Sequence, residues 1–141
     1  ALEALEEIGA HGDKLGVFFA SETGPESGAA LAAFLRDLEA KSIKANYDPA
    51  NMVMRGFDPV QGVYDLAGFI VHTHAKDGIG PGPRRGEVPL GEGEVPWPRY
   101  LRALKEIGYQ GYLTIEREVG EDPAADIVTA ARFLREQLAK L

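Results

Sequence analysis

Four strand-like runs alternate with helix-like segments along this chain, and that alternation limits its possible folds more than any other feature. The runs span residues 17–21, 43–47, 69–73 and 112–115. They are short, whereas the segments between them place apolar residues three and four positions apart, as amphipathic helices do. Strands that alternate with helices form parallel sheets, because each helix carries the chain back to the start of the next strand. The sequence therefore predicts an α/β fold with the order αβαβαβαβα and four parallel strands.

Glycine and proline set the predicted helix boundaries. We expect the first helix to run from Ala1 to Gly9 and the second to begin near Pro25. The third covers about 59–67, and the fourth contains Trp97 and is closed by Gly108. The last has Asp122 as its N-cap and Pro123 in its first turn. Residues 78–93 are rich in glycine and proline, which predicts a long loop.

Length and composition favour a single globular domain over residues 1–141. The chain has no cysteine, so any metal must be held by histidine, aspartate or glutamate. No apolar run approaches the roughly 20 residues that a membrane-spanning helix needs, and the first residues do not resemble a secretion signal. A net charge of −7 opposes binding to nucleic acid. We therefore expect a cytoplasmic protein with neither a membrane nor a nucleic-acid partner.

Each strand-like run is followed closely by a side chain that can bind a metal. These residues are Glu22, Asp48, His74 and Glu116. The carboxyl ends of parallel strands meet at one edge of a sheet, and side-chain alternation directs all four to the same face. On the same argument, Ile70 and His72 share the face of His74, while Val17, Phe19, Val71, Leu113 and Ile115 form the opposite, helix-covered face. Three carboxylates and one imidazole would repel one another without a cation, and they suit Mn²⁺, Mg²⁺, Co²⁺ or Zn²⁺.

Each member of this quartet also has a simpler interpretation. An isolated acidic residue at a strand end commonly caps the next helix, and an isolated histidine there is commonly a satisfied polar residue. The same position and parity in four strands favour a shared metal site. His72 is either a polar partner of the metal-bound imidazole or a core residue.

Other polar residues near the strand ends have two interpretations each. Lys76 and Asp77 either form an ion pair or orient a substrate, with Lys76 the one expected to reach the pocket. Asn51 either shapes a turn or binds substrate. Arg84 and Arg85, in the glycine-rich loop, either hold a phosphate group or are solvated. Prolines remove backbone donors from this loop, so a nucleotide-binding cradle is not expected.

Four segments resemble the sugar phosphate isomerase/epimerase family, the xylose-isomerase-like TIM barrels. They are residues 46–51, 70–77, 89–93 and 108–116. The resemblance covers essentially the whole chain, but only the C-terminal half of the family's fold. It implies a half-barrel, in which four parallel strands of a (β/α)8 barrel alternate with helices.

The resemblance also implies a function. Glu22, Asp48, His74 and Glu116 would bind one divalent metal, with Mn²⁺ the first expectation, and Glu22 and Glu116 would act as acid and base. His72, Lys76, Asn51 and Arg84 are the candidate substrate-binding residues. The implied reaction is isomerisation or epimerisation of a small sugar through an enediolate, in carbohydrate metabolism. A dehydratase acting on an inosose-like ketone is the close variant.

Two departures from the family limit this interpretation. The related endonuclease IV group binds three zinc ions through residues that are replaced here by Asn51, Glu87 and Pro89, so an abasic-site nuclease is not expected. A closed barrel needs eight strands and about 250 residues, whereas this chain supplies four strands. We therefore expect its partner to be a missing N-terminal half or a second copy of the chain. A non-catalytic half-barrel that dimerises remains the alternative to an enzyme.

Overall fold

The computed structural model describes residues 2–141, which form one parallel sheet with helices on one side. In chain order the elements are α1 (Leu2–Leu15), β1 (Phe19–Glu22), α2 (Gly28–Asp37), β2 (Ile43–Tyr47), α3 (Pro49–Arg55), α4 (Pro59–Asp65), β3 (Ile70–Ala75), β4 (Asp77–Ile79), β5 (Gly86–Val88), α5 (Trp97–Glu106), β6 (Leu113–Ile115) and α6 (Pro123–Leu138). The main sheet has the order β1-β2-β3-β6 with every pairing parallel. This confirms the predicted α/β class. Within residues 2–141, no helix has the length and apolar character needed to cross a membrane.

The two faces of the main sheet differ in their surroundings. One face packs against the helices and buries Ile43, Ala45 and Tyr47 in a core shared with aliphatic residues of α2 and α4. The opposite face, which includes Lys44 and Thr114, is only partly buried or exposed. We call it the open face. In a closed barrel this face would line the interior.

The first helix was predicted to end at Gly9, but α1 continues to Leu15. Gly9 and Gly12 are buried inside the helix, where it approaches the segment before β2. A Cβ atom at Gly9 would lie 2.3 Å from the Ala40 Cβ. These glycines therefore allow close packing, and the chain leaves the helix at Gly16, whose φ is +68°.

Side-chain caps begin the next helices. Helix α2 begins at Gly28, not near Pro25, because the Ser27 hydroxyl accepts the Ala30 N–H. The sequence interpretation missed α3 and expected only a turn there. This helix begins directly after Asp48, whose carboxylate accepts the backbone N–H groups of its first turn.

An extra residue in β3 changes which side chains face the helices. Ala45 pairs with Ile70, whereas the next residue of β2, Asn46, pairs with His72, so Val71 has no counterpart. This bulge reverses the alternation. Ile70 therefore lies buried on the helix face while His72 lies on the open face, and the prediction that they share a face is wrong.

The predicted long loop contains an antiparallel hairpin of β4 and β5. Its base is fixed by Asp77, which is 1% exposed and accepts four N–H groups. These belong to the backbone of Gly78, Gly91 and Val95 and to the Trp97 indole. The carboxylate thus connects the hairpin to the start of α5.

Candidate metal centre

The predicted quartet converges at the carboxyl edge of the main sheet. Glu22, Asp48, His74 and Glu116 each offer one ligand atom, and these atoms all lie within 4.8 Å of one another. The Nδ1 atom of His74 lies 3.2 Å from Glu116 Oε2, 3.5 Å from Glu22 Oε1 and 3.7 Å from Asp48 Oδ2. Four residues separated by up to 94 positions (116 − 22) therefore surround one point.

The local fold orients two of the carboxylates. Asp48 is 0% exposed, and its Oδ1 accepts the N–H groups of Ala50 and Asn51, which leaves Oδ2 directed at the other members of the quartet. The Asn51 side chain donates to Glu22 Oε1 at 2.9 Å and to the Thr23 carbonyl at 3.0 Å. Thr23, which the sequence interpretation missed, accepts the Asp48 N–H through its hydroxyl at 2.9 Å. Asn51 is therefore a structural support of the quartet.

Two ligand atoms are buried without a hydrogen-bond partner. They are Asp48 Oδ2 and His74 Nδ1. A buried polar atom without a partner costs about 1–3 kcal/mol, and native proteins contain few such atoms. A cation among the quartet would satisfy both atoms, and three oxygens with one imidazole nitrogen suit a divalent ion. The residues present therefore fit a single divalent metal.

The electrostatics of the quartet agree with this fit. Burial raises the pKa of Glu22, and the neighbouring Asp48 and Glu116 carboxylates raise it further against the opposing influence of His74 and Lys76. The pKa of His74 is also raised, chiefly by Asp48, with Glu116 and Glu22 adding to the effect against the opposing influence of burial. Both shifts favour the protonated form, and neighbouring carboxylates are among the causes of each.

Lys76 reaches the quartet, as predicted, but it does not pair with Asp77. It is 3% exposed, and its Nζ lies 3.0 Å from Glu116 Oε2 and 3.7 Å from Asp48 Oδ2. It also contacts Glu118. The Glu118 and Glu116 carboxylates raise the pKa of Lys76 although its burial opposes this. Lys76 is therefore a buried cation next to two of the metal-ligand candidates.

A second ion-pair network supports the strand end that carries Glu116. Arg117 donates to Glu87 of the hairpin at 2.7 Å and to Asp126 of α6 at 2.7 Å. Glu87 also accepts the Glu118 N–H. The sequence interpretation missed these residues because nothing in the local pattern pairs Arg117 with a glutamate 30 positions away.

The remaining site predictions have different outcomes in the structure. The His72 Nε2 lies 3.0 Å from the Thr114 hydroxyl, and its ring lies 5.9 Å from that of His74 on the open face. Arg84 and Arg85 are exposed near the hairpin tip.

The hairpin tip does not lie with the quartet. Gly80 packs against Met54, near the end of α3, whereas Asp48 caps its beginning. Seven helical residues span about 10 Å. The structure therefore gathers His72 and Lys76 near the quartet, whereas Arg84 lies exposed near the hairpin tip.

A parallel half-barrel with a carboxylate-rich centre at the carboxyl edge of its strands defines a TIM-barrel type of protein. The model of the xylose isomerase-like TIM barrel family matches residues 1–137. The chain therefore belongs to this family, as its sequence resemblance predicted.

Individual relatives include sugar epimerases. The chain is 43% identical over 75 residues to L-ribulose-5-phosphate 3-epimerase UlaE of Shigella flexneri serotype 5b (strain 8401), a match covering 52% of this chain and 26% of that protein. A xylose isomerase domain protein from Planctomyces limnophilus is 34% identical, with a TM-score of 0.88 over 99% of this chain and 53% of that one. A D-tagatose 3-epimerase-like protein has a TM-score of 0.80 at 23% identity over 98% of this chain and 53% of that chain, a likeness in fold. The chain thus spans about half the length of these solved relatives.

Proposed function

We propose that this chain carries the metal centre of a divalent-metal-dependent sugar isomerase or epimerase that moves a proton through an enediolate. The observation that carries the proposal is the convergence of four ligand atoms within 4.8 Å at the carboxyl edge of the strands. This edge is where TIM-barrel enzymes place their active sites. The 43% identity to a ribulose-phosphate epimerase over 75 residues supports the same class of substrate.

Glu22, Asp48, His74 and Glu116 would hold the ion, and Mn²⁺ is our first choice among the divalent metals that accept this donor set. When bound, such an ion polarises a substrate carbonyl and stabilises the negative charge of an enediolate. The Asp48 Oδ2 and His74 Nδ1 atoms are the strongest local support, because both are buried without a hydrogen-bond partner.

Glu22 and Glu116 are the proposed acid and base. One carboxylate takes the proton from the carbon beside the carbonyl, and the other carboxyl group returns a proton to the opposite face, which inverts that carbon. A bound cation would make both carboxylates weaker bases, but it would also acidify the substrate C–H bond, so the pair can still exchange that proton. Asn51 holds the Glu22 carboxylate and Lys76 holds that of Glu116, so each group has a fixed position.

Three further residues are proposed to contact the sugar. Lys76 places its ammonium group beside Glu116, and Asn51 places its amide group beside Glu22. His72 lies on the open face one layer below His74. Arg84 lies at the exposed hairpin, and no contact with the quartet supports a role for it in binding the sugar.

Proton exchange tests the proposal directly. The Mn²⁺-loaded chain is incubated in D₂O with small ketoses and their 5-phosphates. We expect deuterium to enter the sugar at the carbon next to the carbonyl, and mass spectrometry measures this incorporation. Glu22→Gln and Glu116→Gln should each abolish exchange, whereas Glu26→Gln, a control outside the quartet, should not. Exchange that persists in both active-site variants would contradict these assignments. Product analysis separates epimerisation from loss of water.

The open face favours a second proposal, a half-barrel that associates without turnover. Phe18, on that face, is 60% exposed, and Tyr112 is 81% exposed at the other end of the sheet. If the chain binds metal and associates but exchanges no proton with any ketose, this second proposal replaces the first.

A further inference from the structure

Asn46 contacts the ring nitrogen of His74 that faces away from the quartet. Its amide nitrogen Nδ2 lies 3.1 Å from His74 Nε2. On the other side of the same ring, Nδ1 is buried without a hydrogen-bond partner, and so is the amide oxygen of Asn46, Oδ1. The His74 ring therefore connects Asn46 to the quartet, and Asn46 and His74 each have one unpartnered atom.

The direction of this contact decides which nitrogen of His74 can bind a metal. When the Asn46 N–H donates to Nε2, a neutral ring carries its proton on Nδ1 and has no lone pair to offer the quartet. A half-turn of the amide exchanges its oxygen and nitrogen. Oδ1 then accepts an N–H from Nε2, and Nδ1 becomes a free ligand atom.

We propose that Asn46 is a positioning residue that selects the metal-binding tautomer of His74 through its amide oxygen. The inference rests on the proposed metal site. In the metal-loaded protein the amide oxygen faces Nε2–H, opposite to the orientation described above. Both unpartnered atoms gain partners in that state, Oδ1 from the imidazole and Nδ1 from the cation. Metal-bound histidines generally need such an acceptor on their second nitrogen.

The bulge in β3 is what brings Asn46 and His74 to one face. Because Val71 has no counterpart, Asn46 pairs with His72 and the side chains of Asn46, His72 and His74 share the open face. With regular pairing after Ala45 and Ile70, Asn46 would lie opposite Val71, and His74 would turn toward the helices. The contact thus depends on an irregularity in the sheet at the edge of the site.

Two substitutions separate the acceptor role from simple packing. Asn46→Leu removes the acceptor at similar volume, whereas Asn46→Asp keeps an oxygen acceptor and loses the donor. We expect Asn46→Leu to weaken Mn²⁺ binding about 10- to 100-fold, by isothermal titration calorimetry, and Asn46→Asp to retain it. Thr114→Val is the matched control, since it removes the hydroxyl next to His72, and its Mn²⁺ affinity should match the wild type.

Nitrogen NMR of the Zn²⁺-loaded protein gives a readout that a structural role would not change. The chain has three histidines, and His74 should show a protonated Nε2 and a ligated Nδ1 in both the wild type and Asn46→Asp. A loaded wild type whose His74 proton lies on Nδ1 overturns the inference even if Asn46→Leu fails to fold. Wild-type affinity in folded Asn46→Leu overturns it too, and leaves the metal site intact. If the wild type binds neither Mn²⁺ nor Zn²⁺, the proposed function is itself overturned, and the inference about Asn46 is overturned with it.

Discussion

Lys76 places a positive charge where the quartet would otherwise have only carboxylates and an imidazole. Its Nζ bridges Glu116 and Asp48, two candidate ligands, at 3.0 and 3.7 Å. A divalent ion at the same place would lie within a few ångströms of this ammonium group. The two cations should therefore compete for the same negative charge.

Replacing Lys76 should separate its contribution to the stability of the metal-free protein from its effect on metal affinity. In Lys76→Met the metal-free protein loses a buried cation, so its melting temperature should fall. Its affinity for Mn²⁺ should rise by about tenfold or more, because the repulsion between the cations disappears. Calorimetry measures both quantities. Lys14→Met, on the exposed face of α1, is the control, and weaker metal binding in Lys76→Met would contradict the competition.

The quartet itself was predictable from sequence because each member lies at or next to the end of a strand, and parallel strands bring their carboxyl ends to one edge. The supporting contacts were not predictable. Asn51 reaches Glu22 across 29 positions, and Lys76 reaches Glu118 across 42. Such contacts depend on the relative position of two strands, which no local pattern encodes.

At the scale of the elements, strand and helix types follow from apolar spacing, whereas their boundaries depend on tertiary contacts. Glycine usually ends a helix, so Gly9 seemed to end α1. The structure instead uses its missing side chain to bring the helix against Ala40. The bulge in β3 is equally invisible to a rule of strict alternation, which is why Ile70 was assigned to the wrong face.

Gly9→Ala tests the packing explanation by the sign of its effect. Helix propensity alone predicts that alanine stabilises α1 by about 1 kcal/mol. The clash with Ala40 predicts instead a loss of about 1–3 kcal/mol in the free energy of unfolding, which urea denaturation measures. Gly9→Ala combined with Ala40→Gly should recover most of that loss. A more stable single variant would contradict the close approach.

At the scale of the whole molecule, the sheet has two unpaired edges and one open face. The outer strands of the main sheet are β1 and β6. Unpaired strand edges invite pairing with another chain, and exposed aromatic side chains on and beside the open face add apolar area. These features agree with a family whose solved members are about twice as long.

The isolated chain should therefore associate in solution. Sedimentation should give a mass above the 15.2 kDa of one chain, increasing with protein concentration. Phe18→Lys and Tyr112→Lys should shift the protein toward monomer, while Tyr64→Lys, exposed on α4, serves as the control. A monomer at all concentrations would show that the open face and edges are stable in water alone.

The central claim is that four distant residues hold one divalent ion, and metal stoichiometry tests it most directly. Elemental analysis of the Mn²⁺-loaded and desalted chain should find one ion per chain, with at least about tenfold weaker binding in Asp48→Asn and in Glu116→Gln. Glu26→Gln should bind as the wild type does. No bound ion in the wild type, or unchanged binding in both quartet variants, would contradict the account.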